Sequence, residues 1–111
     1  MLPKVYAFDI DGVICKTQGN DYKNAIPDPN AIKKINTLHG KGNKIIIFTA
    51  RFMGRTKNNY KKAHELGYDF TLEQLKSWNV KFDKLYFGKP SFDLLIDDKA
   101  YNYSSNWISQ I

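Results

Sequence analysis

Two short apolar runs, Val5 to Phe8 and Ile45 to Phe48, each break off at a polar residue, Asp9 and Thr49, and a helical pattern lies between them. Continuous apolar runs of this length fit strands buried on both faces. Pro29 opens the intervening helix, Ala31, Ile32, Ile35 and Leu38 follow at helical spacing, and Gly40 marks its stop near His39. Strand, helix and strand in this order give parallel strands joined by a crossover. Leu85 to Phe87 and Leu94 to Ile96 predict two more strands, the second running into Asp97 and Asp98. Residues from about Thr56 to Leu66 and from Thr71 to Trp78 predict two further helices, the first closed by Gly67 and the second opened at Thr71. Gly12 to Ile26 lacks periodicity and carries the turn signal Gly19-Asn20, so it reads as a loop or short hairpin over the sheet edge. The expectation is an α/β fold in which helices flank one parallel sheet, with residues 1–111 forming a single domain.

Composition narrows the class of protein. A 42% apolar fraction fits a packed core, and no apolar run approaches the roughly 20 residues of a membrane span. The chain enters its first strand without a charged leader or cleavage site, which predicts a cytoplasmic location. The single cysteine, Cys15, excludes an internal disulfide and a thiolate metal site, and beside a buried strand it reads as packing. The net charge of +6 attracts anionic ligands, but the lysines are scattered from Lys4 to Lys99 without a dense block, which argues against nucleic acid as the partner.

Ligands of open parallel sheets bind outside the carboxyl ends of the strands. Asp9, Thr49 and Asp97 occupy three such positions, with Asp11 two residues after Asp9 and Asp98 following Asp97. Four carboxylates in one crevice repel one another unless a cation sits among them or some are protonated. Magnesium suits such a set, because it takes carboxylate oxygens, waters and substrate phosphate without needing His or Cys. Arg51, two residues past Thr49, could fork onto an anionic group of the substrate, although a solvated arginine is an equal reading. His39 and His64 fall on helices away from the strand ends and read as structural or surface residues.

The segments FDIDGVIC, IIIFTAR, FGKPSFD and LLIDDKA resemble, in order, the four motifs of the haloacid dehalogenase-like phosphohydrolases, and the resemblance runs from Val5 to about Ala100. It implies a Rossmann-like core and a magnesium-dependent phosphate-monoester hydrolase. By the same resemblance Asp9 attacks phosphorus and Asp11 serves as acid and base. Thr49 and Lys89 hold the phosphoryl oxygens, and Asp97 binds magnesium. Asp98 could orient the metal's water shell, pair with Lys89 or replace Asp97 as ligand. With no room for a cap domain the chain resembles the capless branch, and within it the small phosphatases of capsule and surface-polysaccharide biosynthesis. One departure stands out: only seven residues separate Lys89 from Asp97, where the family places a helix.

The expected substrate is therefore a small phosphorylated sugar or related precursor. The rivals are a polynucleotide end phosphatase, which needs a contiguous basic groove with stacking aromatics, and a non-catalytic phosphate-binding module. Tyr103, Trp107 and Ile111 recur at helical spacing, which fits either core packing or a homo-oligomer contact.

Overall fold

In the computed structural model, which describes residues 3–111, the strand, helix and strand unit forms as the pattern predicts. Strand β1 (Val5–Phe8) leads through a two-stranded antiparallel ribbon, β2 (Cys15–Lys16) with β3 (Ile26–Pro27), into helix α1 (Pro29–Gly40). The ribbon is the short hairpin expected for Gly12 to Ile26, with one 3-10 turn at Tyr22–Asn24 between its strands. Asp28 caps α1 by accepting from the backbone N–H groups of Asn30 and Ala31 at 3.0 and 3.3 Å, and Pro29 occupies the first helical turn. The helix ends at Gly40, and Gly42 takes a left-handed conformation that turns the chain into β4 (Lys44–Phe48).

Helix α2 (Tyr60–Ser77) and strand β5 (Lys84–Tyr86) follow, and a short α3 (Trp107–Gln110) ends the chain. The parallel sheet has the order β1-β4-β5 and is flanked by helices, with no cap domain among the described residues. Its register pairs Phe8 with Ile47 and Phe48 with Tyr86, so Asp9, Thr49 and Phe87 emerge together at one end. Asp83 locks the start of β5 to β4, accepting from the Ile45 N–H at 2.8 Å through its side chain.

Three sequence expectations need correction. The two helices predicted from Thr56 to Leu66 and from Thr71 to Trp78 are one, α2, capped at Asn59, whose side chain accepts from the Lys62 N–H. Gly67 does not stop the helix. It is buried against Phe52, and a Cβ added there would lie 2.3 Å from the Phe52 ring. Thr71 likewise turns its hydroxyl inward instead of capping. The strand predicted at Leu94 to Ile96 does not form: residues 88–106 run without regular structure, and most of the segment is exposed. Seven residues after Lys89 are too few for a parallel crossover, which takes a dozen or more.

The third correction concerns burial. Phe8, Ile45, Ile47 and Leu85 face the core with Ile32, Ile35 and Leu38 of α1, whereas Val5, Phe48 and Tyr86 on the alternate face are exposed. The apolar strand runs are thus buried on one side only. At the terminus, Trp107 is buried and tilts against Phe8 at 5.5 Å, while Tyr103 is exposed and outside any helix. Core packing is the role of Trp107. Among the described residues no helix is long and apolar enough to cross a membrane.

The Gly67 notch makes a direct prediction. Gly67→Ala should destabilise the protein by about 1–3 kcal/mol through overpacking against Phe52, despite the gain of up to about 1 kcal/mol in helix propensity. A lowered urea midpoint at unchanged slope is the expected reading. A midpoint equal to or above that of the parent would show that Phe52 moves aside freely.

Candidate active site

Asp9 follows β1 directly, and its carboxylate is about a third exposed. One oxygen accepts from the Ile10 backbone N–H at 2.8 Å, and the other accepts from Lys89 Nζ at 3.0 Å. Lys89 is carried there by the turn after β5. Its own N–H donates to the Thr49 carbonyl at 3.2 Å, and Gly88 precedes it at φ +97°. Gly88 also has no room for a side chain, because a Cβ would lie 2.4 Å from the Tyr60 ring. Lys89 thus reaches the end of the first strand.

Asp11 sits in the tight turn after β1, where Gly12 adopts φ +86°. Arg51 grips it with both arms of the guanidinium: Nε donates to Oδ2 and Nη2 to Oδ1, each at 2.9 Å. Such fork-on-fork pairing fixes both distance and plane. Thr17 Oγ1 donates to Oδ1 at 2.6 Å. Arg51 is fully buried, its Nη1 donates to Gln74 Oε1 at 2.6 Å, and the Tyr22 ring lies 4.7 Å from its centre. Gln74 in turn donates to the Tyr22 carbonyl at 2.7 Å, so α2 and the 3-10 turn both hold this arginine.

The structure therefore places Arg51 on Asp11, and the free cationic position in the cleft belongs to Arg55. No carboxylate pairs with Arg55 among the described residues; its guanidinium lies 4.5 Å from the Phe52 ring centre and 5.8 Å from that of Tyr22. The sequence reading missed Arg55, Tyr22 and Phe52. A readable signal for Arg55 was its position one turn beyond Arg51 after a strand end. Phe52 carries a second mark of a constrained site, a φ of 65°, which is costly for a bulky side chain.

Thr49 is buried beneath these groups, its Oγ1 accepting from the Arg51 N–H at 3.1 Å. Cys15 is buried too, and its Sγ lies 3.6 Å from Asp11 Oδ1. Burial pushes the Cys15 thiol above its ordinary pKa, and its buried position fits a packing role. His64 stacks on Tyr68 and meets Phe87 edge-on, a structural role.

Asp97 and Asp98 are exposed on the irregular segment, and neither lines the cleft. Among the described residues no three His, Cys, Asp or Glu side chains gather as a metal-holding group. Within one chain the two cleft carboxylates are neutralised by Lys89 and Arg51, so this arrangement does not fit the four-carboxylate magnesium site expected from the sequence. The cleft encloses about 270 Å³ and is lined by Asp9, Asp11, Asn20, Tyr22, Arg55 and Ser91 among others.

No protein-family model matches the chain. No curated protein matches it. A crystal structure of a protein target from Vibrio cholerae superposes with a TM-score of 0.82 at 28% identity, covering 96% of this chain and 94% of that one. The two share their fold along nearly their whole length.

Proposed function

We propose that the chain is a phosphate-monoester hydrolase in which Asp9 is the nucleophile and an aspartyl phosphate is the intermediate. The supporting observation is the pairing of Asp9, at the mouth of a strand end, with Lys89 at 3.0 Å. A carboxylate oxygen attacks phosphorus, the bond from phosphorus to the leaving oxygen breaks, and water then attacks phosphorus to release phosphate and restore Asp9. Lys89 stands where it can stabilise the negative charge on the phosphoryl oxygens. In its proposed role Asp11 protonates the leaving oxygen and later accepts the proton of water, a contribution of about 10²- to 10⁴-fold. Both Asp11 oxygens are engaged by Arg51, so one arm of that fork opens when Asp11 takes a proton. Arg51 is then a positioning residue for Asp11, and Arg55 is the group placed to meet a second anionic or polar part of the substrate.

The cleft volume lies just below the range of about 300 to 1,000 Å³ typical of ligand pockets, which supports a small substrate, a sugar phosphate or related surface-glycan precursor. The aromatic floor of Tyr22 and Phe52 suits the apolar face of a sugar ring. Release of inorganic phosphate from a panel of sugar phosphates and 5′- and 3′-phosphorylated oligonucleotides tests this reading. Sugar phosphates should give the higher kcat/KM, with little salt dependence. A strongly salt-sensitive preference for oligonucleotides would overturn the substrate class, because released counterions steepen nucleic-acid binding with falling salt. No release from any monoester would overturn the function.

Magnesium is part of the proposal, on the strength of the all-oxygen donor set, and requires the acids at 97 and 98 to join Asp9 and Asp11. Excess chelator should reduce phosphate release to background, magnesium should restore it, and calcium should restore little. Full activity in chelator would remove the metal from the mechanism.

A further inference from the structure

From Phe92 to Tyr103 the backbone makes no hydrogen bond to other backbone among the described residues. This unpaired stretch carries the apolar run Leu94-Leu95-Ile96, in which Leu94 is 77% and Ile96 90% exposed. An irregular segment whose backbone pairs with no other backbone and whose apolar side chains are bare has the makings of a strand without a sheet. The sheet has a matching vacancy. Among the described residues β1 lies at its edge with β4 as its one neighbour, and Val5 on that strand is 62% exposed. Parallel addition to β1 would bring residue 97 level with Asp9, because the strand would run toward the same end as β1.

The chain's own segment does not reach this position. Lys89 is already at the carboxyl end, beside Thr49 and on the β5 side of the sheet. The five residue steps from Lys89 to Leu94 span about 17 Å fully stretched. That linker would have to descend the roughly 10 Å height of the strand while crossing three strand spacings of about 4.8 Å each, a straight line of about 17 Å that runs through β4 and β1, so any route around a face of the sheet is longer than the linker. A second copy carries no such restraint. Charge favours it as well: the segment 92–98 holds Asp93, Asp97 and Asp98 and no base, and the chain it would meet has a net charge of +6.

We propose that residues 92–98 of one copy add as a parallel strand to the outer edge of β1 of a second copy, delivering Asp97 and Asp98 to that copy's Asp9 and Asp11. The complete site is then shared between chains, with the acids that the single chain leaves outside the cleft supplied by its neighbour. The catalytic part of this inference rests on the hydrolase reading, whereas the strand exchange rests on geometry and charge.

Two measurements on the full chain separate these parts. Light scattering of the parent at about 100 μM should give a mass of at least two chains of 12.9 kDa, and the double variant Leu94→Lys/Ile96→Lys should be monomeric with little change in its far-ultraviolet circular dichroism. A monomeric parent, or a variant that stays associated, overturns the exchange whatever the activity. For the shared site, Asp9→Asn chains and Asp97→Asn/Asp98→Asn chains, each inactive alone, are co-expressed in equal amounts. Random pairing puts half of the dimers in the mixed form with one intact site each, so about a quarter of parental phosphate release should return. If the parent is active and associated but the mixture stays at background, donation between chains is wrong. If the parent releases no phosphate, the hydrolase reading fails and light scattering still decides the exchange.

Discussion

Asp9→Asn is expected to reduce phosphate release to background, a loss on the order of 10⁴-fold or more, as when the nucleophile of a covalent mechanism is deleted. Asparagine keeps the shape, but its single carbonyl oxygen can accept from only one of Lys89 Nζ and the Ile10 N–H, which reach different oxygens of the carboxylate; at this partly exposed position the other donor turns to water. What it lacks is the negative charge and the nucleophilic oxygen. Circular dichroism and the urea midpoint should therefore stay close to those of the parent while turnover vanishes. Turnover within tenfold of the parent by a folded Asp9→Asn protein would reject Asp9 as the nucleophile. The pairing with Lys89 makes a companion measurement useful: acid-stable trapping of labelled phosphate on the parent, absent from the variant, reads the intermediate directly.

The second large effect concerns stability. Arg51→Met removes a buried guanidinium that holds Asp11 with two hydrogen bonds, Gln74 with a third and the Thr71 hydroxyl at 3.4 Å. Breaking a buried ion pair from one side costs about 3–5 kcal/mol, because the partner charge stays behind. The side chain of Asp11 is 26% exposed and regains some water, so the lower end applies. Against a total of about 5–15 kcal/mol for a domain of this size, the loss should be plain as a shifted urea transition. Asp11→Leu combined with Arg51→Met removes both charges and should recover part of the loss. A change below about 1 kcal/mol for Arg51→Met would mean that the pair is held by the fold and does not hold it.

The parts of this architecture that could be read from the chain are those with a local cause. Pro29, the apolar spacing of α1 and the glycines after it are legible because each acts within a few residues. The rule that sites gather at strand ends placed Asp9 and Thr49 together before any contact was known. The Asp11–Arg51 fork was out of reach, because it joins residues 40 apart and leaves no periodic trace. Gly67 misled for a related reason. A glycine that ends a helix and a glycine that admits a distant phenylalanine look alike in sequence, and only the Phe52 ring tells them apart. Leu94 to Ile96 carries a true strand pattern, but whether a strand forms depends on the edge it can reach, a property of the tertiary path.

Lys89 and Asp9 are 80 residues apart in the chain, and the lysine stands just past the last strand of the sheet. Its arm is tied down by a few bonds only, from the Lys89 N–H to Thr49 and from the Ser91 N–H to Asn58. An element so lightly held opens at a smaller free energy than the sheet and helices behind it. On warming, the ammonium should therefore leave the carboxylate while the core still stands, and on the proposed hydrolase reading phosphate release should fade several degrees below the calorimetric transition. On cooling, it should return without the lag of refolding.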